Sequence, residues 1–217
     1  MLMGRDILTT LMILPVLIIA LTIHELCHGY AAYLLGDMTA KRDGRLSLNP
    51  IRHIDPLGLL MIIVVGFGWA KPVMVNPYNL RNPKVDMALI AIAGPISNFV
   101  MAFFSILIAE FVFRMTGMPR DGIWHTIVNA IILLGIINIM LGVFNLLPIP
   151  PLDGSKVIAG ILPDHIYRRL PPVGIMGMII LMVLMFTGIL GRILMTMVSP
   201  IIGTFSTIAL WFVNLIL

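Results

Sequence analysis

Residues 7–35, ILTTLMILPVLIIALTIHELCHGYAAYLL, form an apolar run in which Glu25 is the one acidic or basic side chain. A helix is expected from about Arg5 to Leu35, with Gly36 as its C-terminal stop. At about 1.5 Å per residue that helix is longer than the roughly 30 Å hydrocarbon core of a bilayer. Near its end stands His24-Glu25-Leu26-Cys27-His28. Side chains four apart on a helix are rotated by only about 40° and separated by about 6 Å, so both imidazoles can reach one metal ion. Glu25 then lies beside that metal, where it can take a proton from water. His28 would sit about 12 Å and His24 about 18 Å from the helix end, below the membrane surface. The alternative is that these groups serve packing or transport, although an ionisable side chain at that depth is costly and is usually functional.

The whole chain repeats the texture of this run. Of its 217 residues 59% are hydrophobic and only 11% charged, and the mean hydropathy is +1.06. Soluble domains carry about a quarter charged residues, so the composition indicates an all-α polytopic membrane protein. About four to six transmembrane helices fit in the length, as a single membrane-embedded domain, 1–217. The net charge of +4 comes from basic residues lying between apolar runs, which sets topology and gives no nucleic-acid footprint. The single cysteine, Cys27, excludes an internal disulfide and is read as packing. Arg5 before an apolar stretch resembles a signal sequence, but no small-x-small cleavage site follows, so an uncleaved first span is expected. The 17 methionines are scattered as flexible packing groups.

Residues from about 37 to 84 differ. Asp43-Gly44 is a hairpin-turn dipeptide followed by the alternating Arg45-Leu46-Ser47-Leu48, and Asn49-Pro50, Asn76-Pro77 and Asn82-Pro83 mark turns. Leu57 to Phe67 is apolar but about half the length needed to cross. Lys71 to Val75 reads as a second extended segment. A re-entrant loop with a β-hairpin is therefore expected after the first helix. Longer apolar runs follow at Met87–Phe113, Ile123–Leu147 and Val173–Val198, and Ile201–Leu217 would cross only marginally. If Leu57–Phe67 dips in and returns, Lys41, Arg42, Arg45, Arg52, Lys71, Arg81, Lys84, Lys156, Arg168 and Arg169 share one side. Arg5, Arg114 and Arg120 then face the other, a split of 10 to 3. If it crosses, the split is 6 to 7 and carries no information. The re-entrant reading puts the amino terminus outside and the histidine pair in the cytoplasmic half of the membrane, in the cell membrane.

A catalytic zinc site wants three protein ligands and a water. Asp153 is the candidate third ligand, in Asn145-Leu146-Leu147-Pro148-Ile149-Pro150-Pro151-Leu152-Asp153-Gly154. Three prolines break the helix before it, and the topology puts it at the same end as His24 and His28. Its alternative role is to cap a short helix beginning near Ser155.

These pieces together resemble the site-2 proteases, the zinc-dependent intramembrane metalloproteases, in a minimal form without a PDZ or CBS module. The matching parts are His24 to His28, Gly94-Pro95-Ile96-Ser97-Asn98, Asn145 through Gly154, and Gly66-Phe67-Gly68, which resembles the glycine motif of that family's re-entrant loop. They span residues from about 20 to 160. The resemblance implies one zinc ion per chain on His24, His28 and Asp153, with Glu25 as general base and acid. It implies that Asn145 engages the scissile peptide or its oxyanion and that Asn98 lines the site. For each asparagine an interhelical hydrogen bond is the alternative. Substrate contact is expected along Gly66 to Met74, with Gly66, Gly68 and Met74 as the named positions, and the extended pieces at Arg45–Leu48 and Lys71–Val75 would offer a sheet edge for an unwound substrate.

The expected activity is zinc-dependent endopeptidase cleavage in or near transmembrane segments, with transmembrane protein substrates, the lipid bilayer as surroundings and no nucleic acid. The rival is a metal-binding or metal-transporting membrane protein using the same ligands, which predicts further acidic or histidine positions along a path. A metalloprotease with a glutamate as third ligand would need Glu110, which stands near the wrong end of its span. Intact Glu25 argues against a catalytically dead relative. Two histidines and one carboxylate can also hold iron or manganese. His53 either approaches the site or pairs with Asp55; His125 is read as interfacial and His165 as solvated. The substrate, the controlling signal and the oligomeric state are not written in the sequence.

Overall fold

A computed structural model describes residues 7–65, 68–117, 122–167 and 175–217. Its helices are α1 (Ile7–Leu34), α2 (Thr39–Arg42), α3 (Pro56–Val65), α4 (Pro83–Thr116), α5 (Gly122–Leu146), α6 (Asp153–Ile161), α7 (Asp164–Tyr167), α8 (Ile175–Phe186) and α9 (Ile189–Ile216). Four are long and apolar enough to cross a membrane: α1 over Met12–Leu34, α4, α5 and α9. The protein is all-helical, and no strand occurs among the described residues.

The spans alternate in direction. α1 and α4 run antiparallel, since His24 meets Asn98 while His28 meets Ile90. α5 returns against α4, with Gly142 under the ring of Phe99 and Gly135 beside Ile106 and Ala102. Small residues let these backbones approach closely where lipid supplies no hydrophobic drive between helices. α9 runs alongside α4, its Asn214 accepting from Arg114 at 2.6 Å, and Val198 and Ala209 complete a core with Ala102, Ile106, Ile139 and Val143. The histidines, the end of α5 and the start of α6 consequently share one end of the bundle.

α1 stops one residue before the expected Leu35. Gly36 takes φ +106°, and the Asp37 N–H closes onto Ala32 O at 2.9 Å, a glycine C-terminal motif. Each Asn-Pro dipeptide proves to be a cap followed by proline at the first helical position. Asn49 accepts from Ile51 N, Asn76 from Tyr78 N and Asn82 from Val85 N. At α4 the cap is reciprocal, because Asp86 accepts from Asn82 N at 2.9 Å.

The region 37–84 does not form the expected β-hairpin, since neither Arg45–Leu48 nor Lys71–Val75 is a strand. Arg45–Leu48 forms bends after a turn at Gly44 (φ +65°) and makes no strand, so it offers no sheet edge. Its polar groups are spent locally: Ser47 O accepts from the His53 ring at 2.7 Å, and Ser47 Oγ accepts from Asn49 N at 3.1 Å. α3 starts on a cap from Asp55 to Gly58 N at 2.8 Å. The chain then comes back, pairing Ala70 with Ile54 in a single antiparallel bridge and Lys71 N with His53 O at 2.9 Å. A Cβ on Gly58 would lie 2.0 Å from Trp69 O, and one on Gly68 2.0 Å from Gly58 O. Backbone against backbone is possible there only with glycine at both positions.

The carboxyl-terminal third corrects the expected spans. A crossing helix over Val173–Val198 and a marginal one over Ile201–Leu217 are replaced by the 12-residue α8 and the 28-residue α9. The break falls at Gly188, whose φ of +71° is left-handed, whereas Pro200 is accommodated inside α9. A membrane helix tolerates an interior proline because it loses one hydrogen bond and neighbours absorb the bend. α8 packs Leu181 on Leu147, Leu152 and Leu190, against the break that follows α5.

Asp37 locks the loop region to α1. Its carboxylate accepts from Thr39 N (3.1 Å), Thr39 Oγ1 (2.6 Å), Asn76 N (2.7 Å) and Asn79 Nδ2 (2.7 Å), and it is fully buried. Burial by itself raises the pKa of this carboxyl, but the hydrogen bonds from Thr39, Asn79 and Asn76 outweigh it and hold the group below the ordinary carboxylate range. A lowered folded-state pKa means that the stabilisation is complete above the unfolded value of about 4 and is lost as pH falls through the lowered one. Asp37→Ala is therefore expected to destabilise the detergent-solubilised protein by about 1–3 kcal/mol at neutral pH. In thermal unfolding the gap to wild type should close as the buffer is acidified below the lowered pKa; a gap independent of pH would contradict this account.

Candidate active site

The last three turns of α1 carry His24 and His28 on the face toward α4, and the chain break after α5 delivers Asp153 to them. His28 Nε2 is 3.0 Å from His24 Nε2 and 3.0 Å from Asp153 Oδ2, and His24 Nε2 is 3.2 Å from Asp153 Oδ2. All three side chains are buried. They form the one group of three His, Cys, Asp or Glu residues able to share a metal ion among the described residues. Tetrahedral zinc with ligand distances of about 2.0–2.1 Å places its donors about 3.3 Å apart, close to this spacing.

The hydrogen bonds behind the imidazoles strengthen the fit. His28 Nδ1–H donates to Ile90 O at 2.7 Å, and that carbonyl can only accept. His24 Nδ1 faces Asn98 Oδ1 at 2.6 Å. With both rings neutral, each turns an unprotonated Nε2 toward the carboxylate. Three lone-pair-bearing atoms this close together repel unless a cation lies among them, so the donor set suits a divalent metal.

α4 is shaped to permit this. Ile90, Gly94 and Asn98 recur at intervals of four and form a stripe against α1. A Cβ on Gly94 would stand 2.4 Å from His28 Nε2 and 2.6 Å from His24 Cε1, so any side chain there would collide with both imidazoles. Gly154 has the same office on the other side, where a Cβ would be 2.2 Å from Leu146 O; α6 can thus begin directly against the end of α5. Asp153 is the first residue of α6 and makes no capping bond. Its Oδ1 lies 3.5 Å from Lys156 Nζ.

A cavity of about 170 Å³ opens beside the three donors, lined among others by Glu25, Pro72, Val73, Asn145 and Lys156. Glu25 Oε2 accepts from the Val73 N–H at 3.0 Å, which orients its carboxylate at the rim. The segment carrying Val73 is held in turn by buried Arg45, whose Nη2 donates to Lys71 O. Asn145 lines the cavity while one of its amide hydrogens bonds Leu141 O on its own helix at 3.0 Å.

Other expected positions fall elsewhere. Asn98 is fully buried behind His24 and absent from the cavity wall, so it bonds His24 where it was expected to line the site. Met74 is 63% exposed and does not line the cavity, whereas Pro72, Val73 and Val75 of the same segment do. Gly68 packs on Gly58, and Gly66 lies outside the described residues. His53 neither reaches the donors nor pairs with Asp55; it is buried and bonds Ser47 O. Asn138 and Lys156 were given no part in the site by the sequence. Of these only Asn138, an amide in an otherwise apolar helix, carried a signal.

The chain is similar to known proteins along most of its length. Residues 115–190 match the family model described as Peptidase family M50. A Bacillus subtilis protein named "Putative zinc metalloprotease YwhC" is 38% identical over 202 residues, covering 91% of this chain and 92% of the relative. Mycolicibacterium smegmatis "Putative zinc metalloprotease Rip2" is 29% identical over 81% of this chain and 66% of its own length. The "Zinc metalloprotease MJ0392" of Methanocaldococcus jannaschii is 24% identical over 67% of this chain and 33% of its own. No solved structure matches. Near-complete coverage of a relative at that level of identity, together with the family match, shows that the chain belongs to peptidase family M50, the zinc metalloproteases of the site-2 type, as a multi-pass membrane member.

Proposed function

We propose that this protein is an intramembrane endopeptidase in which His24, His28 and Asp153 hold the zinc ion and Glu25 is the general base. The observation that carries the reading is the convergence of three donors within 3.2 Å of one another beside a carboxylate at the rim of the same cavity. Bound zinc supplies Lewis acidity that makes water a nucleophile near neutral pH. Glu25 takes the proton released as water attacks the peptide carbonyl and passes it to the leaving nitrogen. The Val73 N–H fixes the orientation in which it does so. Asn145 offers its second amide hydrogen to the oxyanion. The extended segment 71–75 forms one wall, along which an unwound substrate segment would lie, and transmembrane proteins are the substrates.

A re-entrant disposition of α3 is part of the proposal. Ten residues of helix span about 15 Å, half of the hydrocarbon core, and Ala70 pairs back to Ile54. The basic residues then lie mainly at the end of the bundle that carries the site, joined there by Arg192 near the start of α9. That end is cytoplasmic by the positive-inside rule, and the membrane is the cell membrane. The chain acts as one domain whose working core runs from about residue 20 to 160. Metal transport is the weaker reading, because the donors form one compact cluster and no succession of clusters is seen among the described residues.

Purified protein, metal analysis and cleavage of transmembrane peptides test the assignment. Glu25→Gln should lower cleavage by at least about a hundredfold and keep one zinc per chain, whereas Asp153→Ala should lose the zinc. Persistent cleavage by the first variant, or full metal occupancy in the second, would remove the respective assignment. Gly94→Ala should cost zinc as well, since its methyl would occupy the space of both imidazoles; overpacking of about 1–3 kcal/mol would be visible as a lower melting temperature of the metal-free protein. Wild-type zinc affinity in Gly94→Ala would show that the imidazoles are placed otherwise.

A further inference from the structure

Asn138 lies in α5, shares no atom with the cavity wall and is fully buried. Its Nδ2 donates to Leu134 O at 2.8 Å, and its Oδ1 accepts from Asn98 Nδ2 at 2.7 Å. Asn98 Oδ1 in turn meets His24 Nδ1 at 2.6 Å. The polarity of this line is set at its far end. A backbone carbonyl has no hydrogen to give, so Asn138 must point its NH₂ at Leu134, which leaves its oxygen facing Asn98. Asn98 must answer with its own NH₂, which leaves its oxygen facing His24. His24 must then carry its proton on Nδ1, and Nε2 is left bare.

We propose that Asn138 is a positioning residue that sets the tautomer of His24, acting through Asn98 from a helix that contributes nothing to the donor triad. An amide alone cannot do this. Asn98 without Asn138 can rotate by 180° and present NH₂ to Nδ1, which favours the His24 tautomer protonated on Nε2, the atom that faces His28 and Asp153. His28 needs no such device, because Ile90 O already permits only one tautomer. The two histidines of one motif are thus fixed in different ways, one by a carbonyl directly and the other by a carbonyl relayed through two amides.

The inference rests on His24 being a zinc ligand, and zinc affinity measured by chelator competition on the purified protein separates the two claims. Asn138→Leu, with the same side-chain branching and heavy-atom count but unable to hydrogen-bond, should weaken zinc binding about 10–100-fold. A carboxylate at position 98 can only accept, so Asn98→Asp sets the tautomer without help and meets an opposing oxygen from Asn138. In the Asn98→Asp background, Asn138→Leu should therefore leave zinc affinity undiminished or raise it. Melting of the metal-free variants reports folding separately. A packing role for Asn138 predicts the same loss in both backgrounds, and that result overturns the relay, as does wild-type affinity in Asn138→Leu alone. Should Asn138→Leu alone not fold, the sign of its effect within Asn98→Asp still decides. His24→Ala is the control: retained affinity there would defeat the ligand assignment itself, whereas its loss beside an unaffected Asn138→Leu would defeat only the relay.

Discussion

Two imidazole nitrogens and a carboxylate oxygen stand within 3.2 Å of one another, and most of the surrounding structure can be understood as what holds them there. Left alone, the three would turn away or acquire protons. α4 opposes that with one stripe of three residues a turn apart. Ile90 contributes a carbonyl to His28, Gly94 contributes the absence of a side chain, and Asn98 contributes an oxygen to His24. Replacing any one disturbs a different property: ring orientation, the space for the rings, or the location of a proton. The close approach of α1 to α4 is therefore a condition of the donor geometry as much as of packing.

The second constraint is that peptide groups near this depth need partners. The segment 71–75 is extended but has no ladder beside it, so the N–H of Val73 would be orphaned without a nearby acceptor. Glu25 supplies that acceptor. The bond satisfies the backbone and orients the carboxylate at once, which makes the loop a component of the site. Arg45, holding Lys71 O, and Asp37, holding Asn76 and Asn79, fasten the segment at its two ends. Two charged residues of the loop region, Arg45 and Asp37, are thus spent on placing one short stretch of chain.

Much of this was legible in the sequence because it rests on local rules. Helical spacing alone puts His24 and His28 on one face, a glycine ends α1, and each Asn-Pro dipeptide announces a cap. Asp153 could be found by elimination, since few carboxylates stand in apolar surroundings at the correct end. What could not be read depends on side-chain partners far apart in the chain. Asn98 and Asn138 are 40 residues apart, and nothing local says that they touch or which way each amide points. Met74 was misplaced because which residues of the segment 71–75 face inward is decided by contacts far away in the chain, such as that of Val73 with Glu25. The carboxyl-terminal spans were divided wrongly because proline is a strong breaker in water and a weak one in a membrane, while Gly188 gives no hydropathy signal at all.

The donors also come from distant parts of the chain, His28 and Asp153 being 125 residues apart. Two lie near the end of the first span and the third follows the third span, and the groups that orient them belong to α4 and α5. No fragment short of these four helices assembles the triad, so an unfolded or half-inserted chain presents only an i, i+4 histidine pair of low affinity. On the proposed ligand assignment zinc binds the assembled state in preference, and every factor by which it does so adds to the stability of that state. The converse also holds. The triad is a point of mutual repulsion in a bundle whose helices are joined by small residues and a few hydrogen bonds, so metal and packing hold each other in place. The break at Pro148–Pro151, which delivers Asp153 to the histidines, is in this sense as much a part of the proposed metal site as the histidines themselves.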